Sequence, residues 1–361
     1  MRSHTTAAVF DGPGQPLNLI DVPLTALDDG EALVEVSMCT ICGSDLHTYT
    51  GRRSCACPTI LGHEITGKIV EVAGSVCDLS GTELTPGDRV TWSIAASCGE
   101  CFFCTSSIPQ KCKRLAKYGH EPLATHGAVG GLARHCRILS GTAIIKVPDS
   151  LSDAEVCPAN CCTATAAAAL RTAGLIEGAS IAILGAGSLG ITAAEMAIHR
   201  GASNVVLADL DSDRLDRART IPDCIPVAVA AEEGSLSRLI ADRTEGRGVD
   251  VVLEMSGSTE AAEQSLDLLR IGGQLILVGA VFPGRAMQLS AEQIVRSLIC
   301  IEGVHNYRPE DLQAAVSFLK STPEESPARN LVEREFPLEE VEAAFQFAAD
   351  HRPLRVAVRM T

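Results

Sequence analysis

The sequence predicts an α/β protein with two domains, a mostly antiparallel, barrel-like β domain and a doubly wound parallel sheet. Between about residues 5 and 150, short β-type runs are broken by glycine and proline, and helical periodicity is scarce. From about residue 151 to 285, strand-like runs alternate with helical patterns, as a parallel sheet requires. The alternating run at residues 355–359 resembles the first region, so we expect the chain to return to the β domain.

These observations assign residues 1–150 and 290–361 to the β domain, which includes a cysteine-rich lobe at about residues 95–115. Residues 151–289 are assigned to the parallel-sheet domain. The predicted strands of the first domain are β-rich runs bounded by turn residues, at 32–37, 67–72, 88–92 and 143–147.

Composition excludes several classes of protein. A chain of 361 residues suits two domains of ordinary size. Its net charge of -15 argues against nucleic acid or an anionic membrane surface as the main partner, because both favour clustered Lys and Arg. The N-terminus lacks the apolar run of a signal peptide, and no run approaches a membrane span in length. A cytoplasmic location follows, and disulfides are disfavoured for the 15 cysteines.

The spacing of four cysteines is the most specific pattern in the chain. They are Cys98, Cys101, Cys104 and Cys112. Two-residue gaps let consecutive thiolates converge on one ion, and the longer gap lets the fourth thiolate complete a tetrahedron. Four thiolates with no open position are typical of structural zinc; the alternative is an exposed loop of reactive thiols. Zinc bound here would contribute its binding free energy, on the order of 10 kcal/mol in small zinc peptides, to folding of the lobe.

A glycine motif, Gly185-Ala-Gly187-Ser-Leu189-Gly190, follows an apolar strand and precedes a helical run. The first glycine allows a tight turn, the second lets the backbone approach a pyrophosphate, and the third permits close helix–strand packing. Asp209 ends the next strand nineteen residues after Gly190, where a carboxylate binds the adenosine ribose hydroxyls and repels a 2′-phosphate. The motif and its context predict dinucleotide binding, with NAD favoured over NADP.

Two later strands, at residues 249–254 and 273–278, complete the predicted sheet. Their carboxyl ends, including Val278, are expected to face the nicotinamide half of the cofactor, because ligands bind outside that edge of a parallel sheet. Arg214 is either a contact to the adenosine or a solvated charge on a helix surface.

The segment from Cys42 to His47, followed by Gly62-His63-Glu64, collects a thiol, imidazoles, a hydroxyl and carboxylates in one neighbourhood. These groups are the inventory of a catalytic metal site with a proton path. In isolation, a cysteine and a histidine about twenty residues apart are more often a buried thiol and a hydrogen-bonded core histidine.

The order of the motifs favours the metal site. A Cys-Gly-x-Asp-x-His segment, a Gly-His-Glu, a four-cysteine lobe and a GxGxxG resemble the zinc-dependent alcohol dehydrogenases of the medium-chain dehydrogenase/reductase superfamily. The resemblance covers essentially the whole chain. It implies a GroES-like β-barrel catalytic domain, a Rossmann domain, one catalytic and one structural zinc ion, and NAD. Cys42 and His63 correspond to catalytic zinc ligands.

The resemblance also implies roles for four neighbours of these ligands. Ser44 corresponds to the hydroxyl that exchanges a proton with the substrate oxygen, and His47 to the imidazole that passes this proton to solvent through the cofactor ribose. Asp45 and Glu64 correspond to the acids that orient the ligands, and Glu64 is able to approach the metal during ligand exchange.

A third catalytic zinc ligand is expected near the entrance to the Rossmann domain. In the family's alcohol dehydrogenases it is a cysteine four residues before a threonine that touches the nicotinamide. Aligning Thr165 with that threonine selects Cys161, and Cys162 and Cys157 are its rivals.

A narrower resemblance, to a subgroup associated with phosphonate metabolism, rests on four segments at residues 92–98, 109–112, 117–121 and 304–307. Arg52 and Arg53 follow the His47 segment, where they are placed to meet an anionic substrate near the zinc. Two solvated loop arginines are an equally good interpretation. Lys117 and His120 are similarly ambiguous.

Together these features predict a zinc-dependent oxidoreductase that transfers a hydride between NAD and a small-molecule alcohol or aldehyde. The narrower resemblance makes a phosphonate-bearing alcohol or aldehyde one candidate. Two alternatives are a non-catalytic homologue that binds NAD and zinc, and a zinc-independent reductase of enones or quinones. The resemblance further implies a homodimer or homotetramer.

Overall fold

The computed structural model describes residues 3–229 and 234–360, which form two compact units. The first unit contains the described residues up to Cys161, together with Arg308–Thr322 and those from Arg329 onward. The second contains the described residues of Cys162–Tyr307 and Pro323–Ala328.

The first unit opens with nine strands and four short helices. The strands are β1 (His4–Phe10), β2 (Asn18–Pro23), β3 (Glu31–Ile41), β4 (Thr59–Ile60), β5 (Glu64–Ala73), β6 (Arg89–Ala96), β7 (Ala116–Lys117), β8 (His135–Ile138) and β9 (Thr142–Lys146). The helices are α1 (Gly43–Tyr49), α2 (Phe102–Thr105), α3 (Leu123–His126) and α4 (Asp153–Val156). These strands pair antiparallel, β2-β1-β4 in one sheet and β3-β5-β6-β7 in another, where β8 pairs with β3 and β9 with β6.

The contact between β3 and β5 depends on Gly67. A Cβ atom at this position would lie 2.3 Å from the carbonyl oxygen of Glu35, so only glycine permits the two backbones to approach this closely. This close approach packs β3, which ends directly before Cys42, against β5, which begins directly after His63.

The second unit alternates strands and helices. Its strands are β10 (Ser180–Leu184), β11 (Asn204–Asp209), β12 (Cys224–Ala228), β13 (Val249–Glu254), β14 (Leu269–Leu277) and β15 (Cys300–Gly303). Its helices are α5 (Cys162–Ala173), α6 (Ser188–His199), α7 (Ser212–Ala218), α8 (Ser235–Arg243), α9 (Thr259–Gln264) and α10 (Ala291–Arg296). All six strands are parallel, in the order β12-β11-β10-β13-β14-β15, so the strand order reverses between β10 and β13. Ligands bind at that point in doubly wound sheets.

The chain then returns to the first unit. The returning elements are α11 (Pro309–Ser321), β16 (Val332–Pro337), α12 (Val341–His351) and β17 (Arg355–Arg359). β17 pairs antiparallel with β3, with Val356 opposite Ile41. Phe345 of α12 is fully buried in the same core as Phe10 and Trp92.

The unit limits differ from the expected domain limits at residues 150 and 290. The first unit extends to Cys161 because α4 and the following 3-10 turn pack on β3 and β5. The second unit extends to Tyr307 because β15 pairs with β14 in the parallel sheet. Among the described residues, no helix is both long enough and apolar enough to cross a membrane.

Candidate active site

One cluster of metal-ligand side chains comes from three separate segments of the first unit. Cys42 directly precedes α1, His63 precedes β5, Glu64 begins it, and Cys161 follows the 3-10 turn at Cys157–Asn160. One ligand atom from each of these four side chains lies within 4.8 Å of the others. Two thiols, an imidazole and a carboxylate belong to the set of donors that zinc takes in proteins.

Asp45 fixes the positions of two of these ligands. Its buried carboxylate accepts hydrogen bonds from the backbone N–H of Cys42 at 3.0 Å and of Gly62 at 3.3 Å, and from Nδ1 of His63 at 3.1 Å. Because Nδ1 carries the proton in this bond, the lone pair on Nε2 is left for a metal. Burial lowers the pKa of His63, but the charge and hydrogen bond of Asp45 together with those of Cys42 outweigh burial and raise it to about 10, so a metal at Nε2 would displace a proton from the ring.

Glu64 is fully buried and is paired inside the fold. Its carboxylate accepts hydrogen bonds from Nε and Nη2 of Arg355 at 2.7 and 2.8 Å, and from the Thr40 hydroxyl at 2.5 Å. Burial raises the pKa of Glu64 to about 7, and the Arg355 charge acts in the opposite direction. Because these bonds engage both carboxylate oxygens, two cysteines and one histidine remain as a set that fits zinc with one open position.

The structure places Cys161, rather than its rivals, in the cluster. Cys161 donates a hydrogen bond to Cys42, which lowers the pKa of the Cys42 thiol well below its usual value and raises that of Cys161. The thiol of Cys162 lies 3.7 Å from the Thr192 hydroxyl in the second unit. Cys157 donates to two backbone carbonyls of the first unit.

Ser44 and His47 lie one turn apart on α1. Oγ of Ser44 is 3.4 Å from Nε2 of His63, so the hydroxyl stands beside the ligand cluster. His47 is half-buried, and its carbonyl accepts a hydrogen bond from the N–H of Arg53. Burial and then the charge of Arg52 lower the pKa of His47, which keeps the imidazole neutral and able to accept a proton.

The four-cysteine lobe brings its four predicted sulfur atoms together. Four Sγ–Sγ distances are 3.4 Å (Cys98–Cys112), 3.6 Å (Cys101–Cys104), 3.9 Å (Cys101–Cys112) and 4.0 Å (Cys98–Cys104). A tetrahedral zinc ion with Zn–S bonds of about 2.3 Å has sulfur–sulfur edges of about 3.8 Å, so this arrangement fits one zinc ion. Sγ of Cys112 also accepts hydrogen bonds from two backbone N–H groups at 3.3 Å.

The glycine motif forms the turn between β10 and α6 of the second unit. Gly185 has a φ of +108°, and a Cβ at Gly190 would lie 1.8 Å from the Gly185 carbonyl oxygen, so neither position accepts a side chain. A Cβ at Gly187 would have no neighbour within 4 Å. Leu189 is half-buried in the first turn of α6. The turn therefore leaves backbone and helix terminus accessible, and it fits a pyrophosphate.

Asp209 lies at the end of β11, next to this turn. Its Oδ2 accepts a hydrogen bond from the Ala186 N–H at 2.6 Å, which holds the carboxylate against the glycine motif. Arg214, for which the sequence left open an adenosine contact or a helix-surface charge, lies 3.8 Å from the carboxylate of Asp211 and is partly exposed. The structure brings Asp209 to the motif and gives Arg214 a carboxylate partner.

The remaining predicted cofactor residues also belong to the second unit. Thr165 is half-buried on α5, and Val278 follows β14, where its N–H donates to the Glu254 carbonyl at 2.9 Å. Glu254 is fully buried, and its Oε1 accepts hydrogen bonds from the N–H groups of Ser256 and Gly257, both at 2.8 Å. Its carboxylate thus shapes the turn at the end of β13, a role that the sequence did not indicate.

The two predicted substrate arginines have different environments. Arg52 is exposed, whereas Arg53 is half-buried and donates from Nη1 to Nε2 of His120 at 3.2 Å. The ring of His120 lies 5.6 Å from that of His63, centroid to centroid. The structure thus connects Arg53 to the ligand cluster through a single side chain.

Sequence reasoning missed two residues that hold the cluster. Arg355 binds Glu64 and reaches Sγ of Cys42 at 3.8 Å. Asn160 is fully buried and donates to the carbonyls of His63 at 2.9 Å and Trp92 at 2.8 Å. A signal was available for Asn160, a polar residue directly before Cys161, but Arg355 is recognisable only once β17 is placed beside β3.

Comparisons with known proteins agree with this geometry. The family model for the alcohol dehydrogenase GroES-like domain matches residues 28–149, and that for zinc-binding dehydrogenases matches residues 188–321. A sorbitol dehydrogenase from Halalkalibacterium halodurans is 31% identical over 326 residues, which covers 90% of each chain. The chain belongs to the zinc-binding alcohol dehydrogenase family.

Other relatives of this dehydrogenase match it over nearly its whole length. An alcohol dehydrogenase from Geobacillus stearothermophilus is 31% identical over 343 residues and covers 94% of each chain. The crystal structure of an alcohol dehydrogenase from Thermotoga maritima, 28% identical, superposes with a TM-score of 0.93 over 99% of each chain. The predicted fold class is confirmed, with a GroES-like domain and a Rossmann-like parallel sheet, and so is the predicted class of enzyme, an oxidoreductase that acts on alcohols.

Proposed function

We propose that this dehydrogenase transfers a hydride between NAD and an alcohol or aldehyde that carries an anionic, phosphonate-type group. The observation that supports it most is the buried cluster in which two thiols and an imidazole converge while the neighbouring carboxylate, Glu64, is engaged by Arg355. Two zinc ions per chain, a cytoplasmic location and a homodimeric or homotetrameric assembly belong to the same proposal.

Within this proposal, Cys42, His63 and Cys161 hold the catalytic zinc. Bound zinc supplies Lewis-acid polarisation of the substrate oxygen, and bound NAD supplies the hydride acceptor. Asp45 keeps the proton of His63 on Nδ1 and so keeps Nε2 available for the metal. Ser44, whose hydroxyl stands beside the cluster, exchanges the proton of the substrate oxygen.

His47 receives that proton from Ser44 and passes it to solvent. Both side chains lie on α1 at neighbouring positions of the helix surface. The lowered pKa of His47 suits the step, because a neutral imidazole accepts a proton whereas a charged one does not.

The cofactor preference rests on Asp209. Its carboxylate is held against the glycine motif by the Ala186 N–H, in the region where the adenosine ribose binds in this fold. A negative charge there accepts hydrogen bonds from ribose hydroxyls and repels a 2′-phosphate.

The anionic substrate is supported by Arg53, whereas Arg52 is exposed and adds no contact to the argument. Arg53 contacts His120, whose ring neighbours that of the candidate zinc ligand His63. A guanidinium in this position matches a carboxylate or a phosphonate in geometry and in charge.

The direct test is a screen of alcohols and aldehydes with NAD, in matched pairs with and without a phosphonate group, combined with metal analysis. We expect about two zinc ions per chain by the ligand count and the highest kcat/KM for the phosphonate-bearing member of a pair. Full activity in protein with almost no zinc would refute the mechanism, and equal kcat/KM within each pair would refute the phosphonate.

Asp209→Ala tests the cofactor assignment. We expect the ratio of kcat/KM for NAD over that for NADP to fall at least about tenfold, the equivalent of about 1.4 kcal/mol, because the repulsive charge is removed. Asp213→Ala, on the surface of α7, serves as the control. An unchanged ratio would mean that another residue contacts the ribose.

A further inference from the structure

Positive side chains gather beside the ligand cluster, although the whole chain carries a net charge of -15. They are Arg53, which follows α1, and Lys117 at the end of β7. The two belong to separate segments of the first unit, and His120 contacts both: its Nε2 is 3.2 Å from Nη1 of Arg53, and its N–H donates to the Lys117 carbonyl at 3.1 Å. Such a local reversal of sign in an acidic protein is the pattern expected of a site for an anionic ligand.

His120 holds the Arg53 guanidinium in place. A guanidinium only donates hydrogen bonds, so Nε2 of His120 accepts from Arg53 and its proton resides on Nδ1. Burial and the charges of His63 and Lys117 lower the pKa of His120, so the ring is neutral. Arg53 is therefore fixed by an uncharged partner, and its positive charge is not cancelled by this contact.

Lys117 is half-buried, and its carbonyl accepts a hydrogen bond from the N–H of His120 at 3.1 Å. Its pKa is lowered by burial and then by the charge of Arg53, while Cys161 and Cys42 act in the opposite direction. Within residues 3–229 and 234–360, the structure gives Lys117 no ion pair with a carboxylate. Glu121, the nearest acid along the chain, is engaged by the Lys117 backbone N–H at 2.8 Å and by His126.

The charge balance of the site points the same way. Two thiolates would neutralise the double charge of a zinc ion bound by Cys42, His63 and Cys161, and the buried carboxylate of Asp45 offsets only one of the two cations, Arg53 and Lys117. The remaining partly buried positive charge is costly, and an anionic ligand that pairs with it removes that cost.

We propose that Arg53, held by His120, and Lys117 form the subsite that binds the anionic group of the substrate, and that Arg52 takes no part. The identity of the reacting alcohol rests on the proposed function. Because the His120 and His63 rings are 5.6 Å apart, the subsite favours a short substrate whose oxyanion lies close to the reacting hydroxyl.

Binding of a probe tests the subsite without any turnover. Methylphosphonate and acetate are each titrated calorimetrically into zinc-loaded wild-type protein and into Lys117→Met, Arg53→Met and Arg52→Met. We expect the methylphosphonate Kd to rise at least about tenfold in the first two variants, equivalent to about 1.4 kcal/mol each. Arg52→Met is the matched control, and its Kd should stay within about twofold of wild type.

One further variant keeps the test decisive. Lys117→Arg retains the charge and should bind methylphosphonate nearly as well as wild type, so its binding separates lost charge from damaged folding if Lys117→Met is unstable. Wild-type affinity in both Lys117→Met and Arg53→Met, or an equal loss in Arg52→Met, would overturn the subsite.

The proposed function can fail separately. A protein that binds methylphosphonate through Lys117 and Arg53 but oxidises no alcohol with NAD would support the subsite and refute the proposed function. Tighter binding of acetate than of methylphosphonate would support the same subsite and identify a carboxylate in place of the phosphonate.

Discussion

The two cysteine-containing clusters of this dehydrogenase are built in opposite ways. The lobe between Cys98 and Cys112 takes its four sulfurs from one short segment whose side chains are mostly half-buried. The cluster of Cys42, His63 and Cys161 draws on three segments spread over the first unit, and its ligands are oriented by buried hydrogen bonds. In the lobe a bound metal would hold one short segment in its fold, whereas in the buried cluster the surrounding fold holds the ligands in position for the metal.

This difference separates stability from catalysis. Four thiolates would saturate a zinc ion, so a metal in the lobe would offer no position to a substrate and would contribute folding free energy. The buried cluster offers three ligands, because Arg355 and Thr40 engage the carboxylate of Glu64. Removing one ligand should therefore abolish activity in the buried cluster and reduce stability in the lobe.

Cys42→Ala removes a ligand of the buried cluster, and of the substitutions in the two clusters it should have the largest effect. We expect kcat/KM to fall at least about 10³-fold, since Lewis-acid stabilisation is worth several kcal/mol and each 1.4 kcal/mol is about tenfold. Zinc content should fall from about two to about one per chain, while NAD affinity and Tm remain close to wild type. Metal analysis, equilibrium NAD titration and thermal melting measure these quantities.

Cys55→Ala is the control for this change, because Cys55 is a half-buried thiol outside both clusters. Its zinc content and kcat/KM should match those of wild type. If Cys42→Ala lost NAD affinity and activity to the same extent, the cluster would be structural and the contrast with the lobe would disappear.

Cys104→Ser removes a ligand of the lobe, and its effect should be smaller than that of Cys42→Ala. The binding free energy of structural zinc, about 10–16 kcal/mol, is shared among four bonds, so we expect the free energy of unfolding to fall by about 3 kcal/mol. Denaturant titration checks this value, and kcat of the folded protein at low temperature should stay close to wild type. Cys77→Ser, at an exposed cysteine, is the control; loss of kcat without loss of stability would contradict the structural role.

The same contrast explains how much could be predicted from the sequence. The lobe was predicted complete because chain geometry alone brings Cys98, Cys101, Cys104 and Cys112 together. The glycine motif and Asp209 were found for a similar reason, since a strand, a turn and a helix place them locally. The parallel sheet followed from its alternating pattern of strands and helices.

The buried cluster was only partly predictable. Cys42, His63 and Glu64 were selected by their motifs, but the hydrogen bonds that orient them depend on long-range strand pairing. Arg355 reaches Glu64 because Val356 pairs with Ile41, a contact across more than 300 residues of sequence. Neither periodicity nor spacing predicts that strand register. The choice between Cys161 and Cys162 also depends on the structure, because Cys161 directly follows the 3-10 turn and Cys162 begins α5.

Asp45→Asn should have the smallest effect of the three cysteine and aspartate substitutions in the two clusters. It keeps every zinc ligand and changes only the side chain that orients His63. The asparagine is nearly isosteric but loses the charge that fixes the proton of His63 on Nδ1, and changes of this kind cost roughly 10- to 100-fold in metal affinity. Competition with a chelator should show one zinc site weakened by that factor and the lobe unchanged.

With excess zinc, kcat of Asp45→Asn should recover most of its wild-type value, whereas kcat of Cys42→Ala should not recover. Asp21→Asn, whose carboxylate accepts a hydrogen bond from the Thr6 hydroxyl at the surface, should leave both affinities unchanged. Wild-type affinity at both sites in Asp45→Asn would mean that the backbone alone positions His63, and the buried cluster would then be held as locally as the lobe.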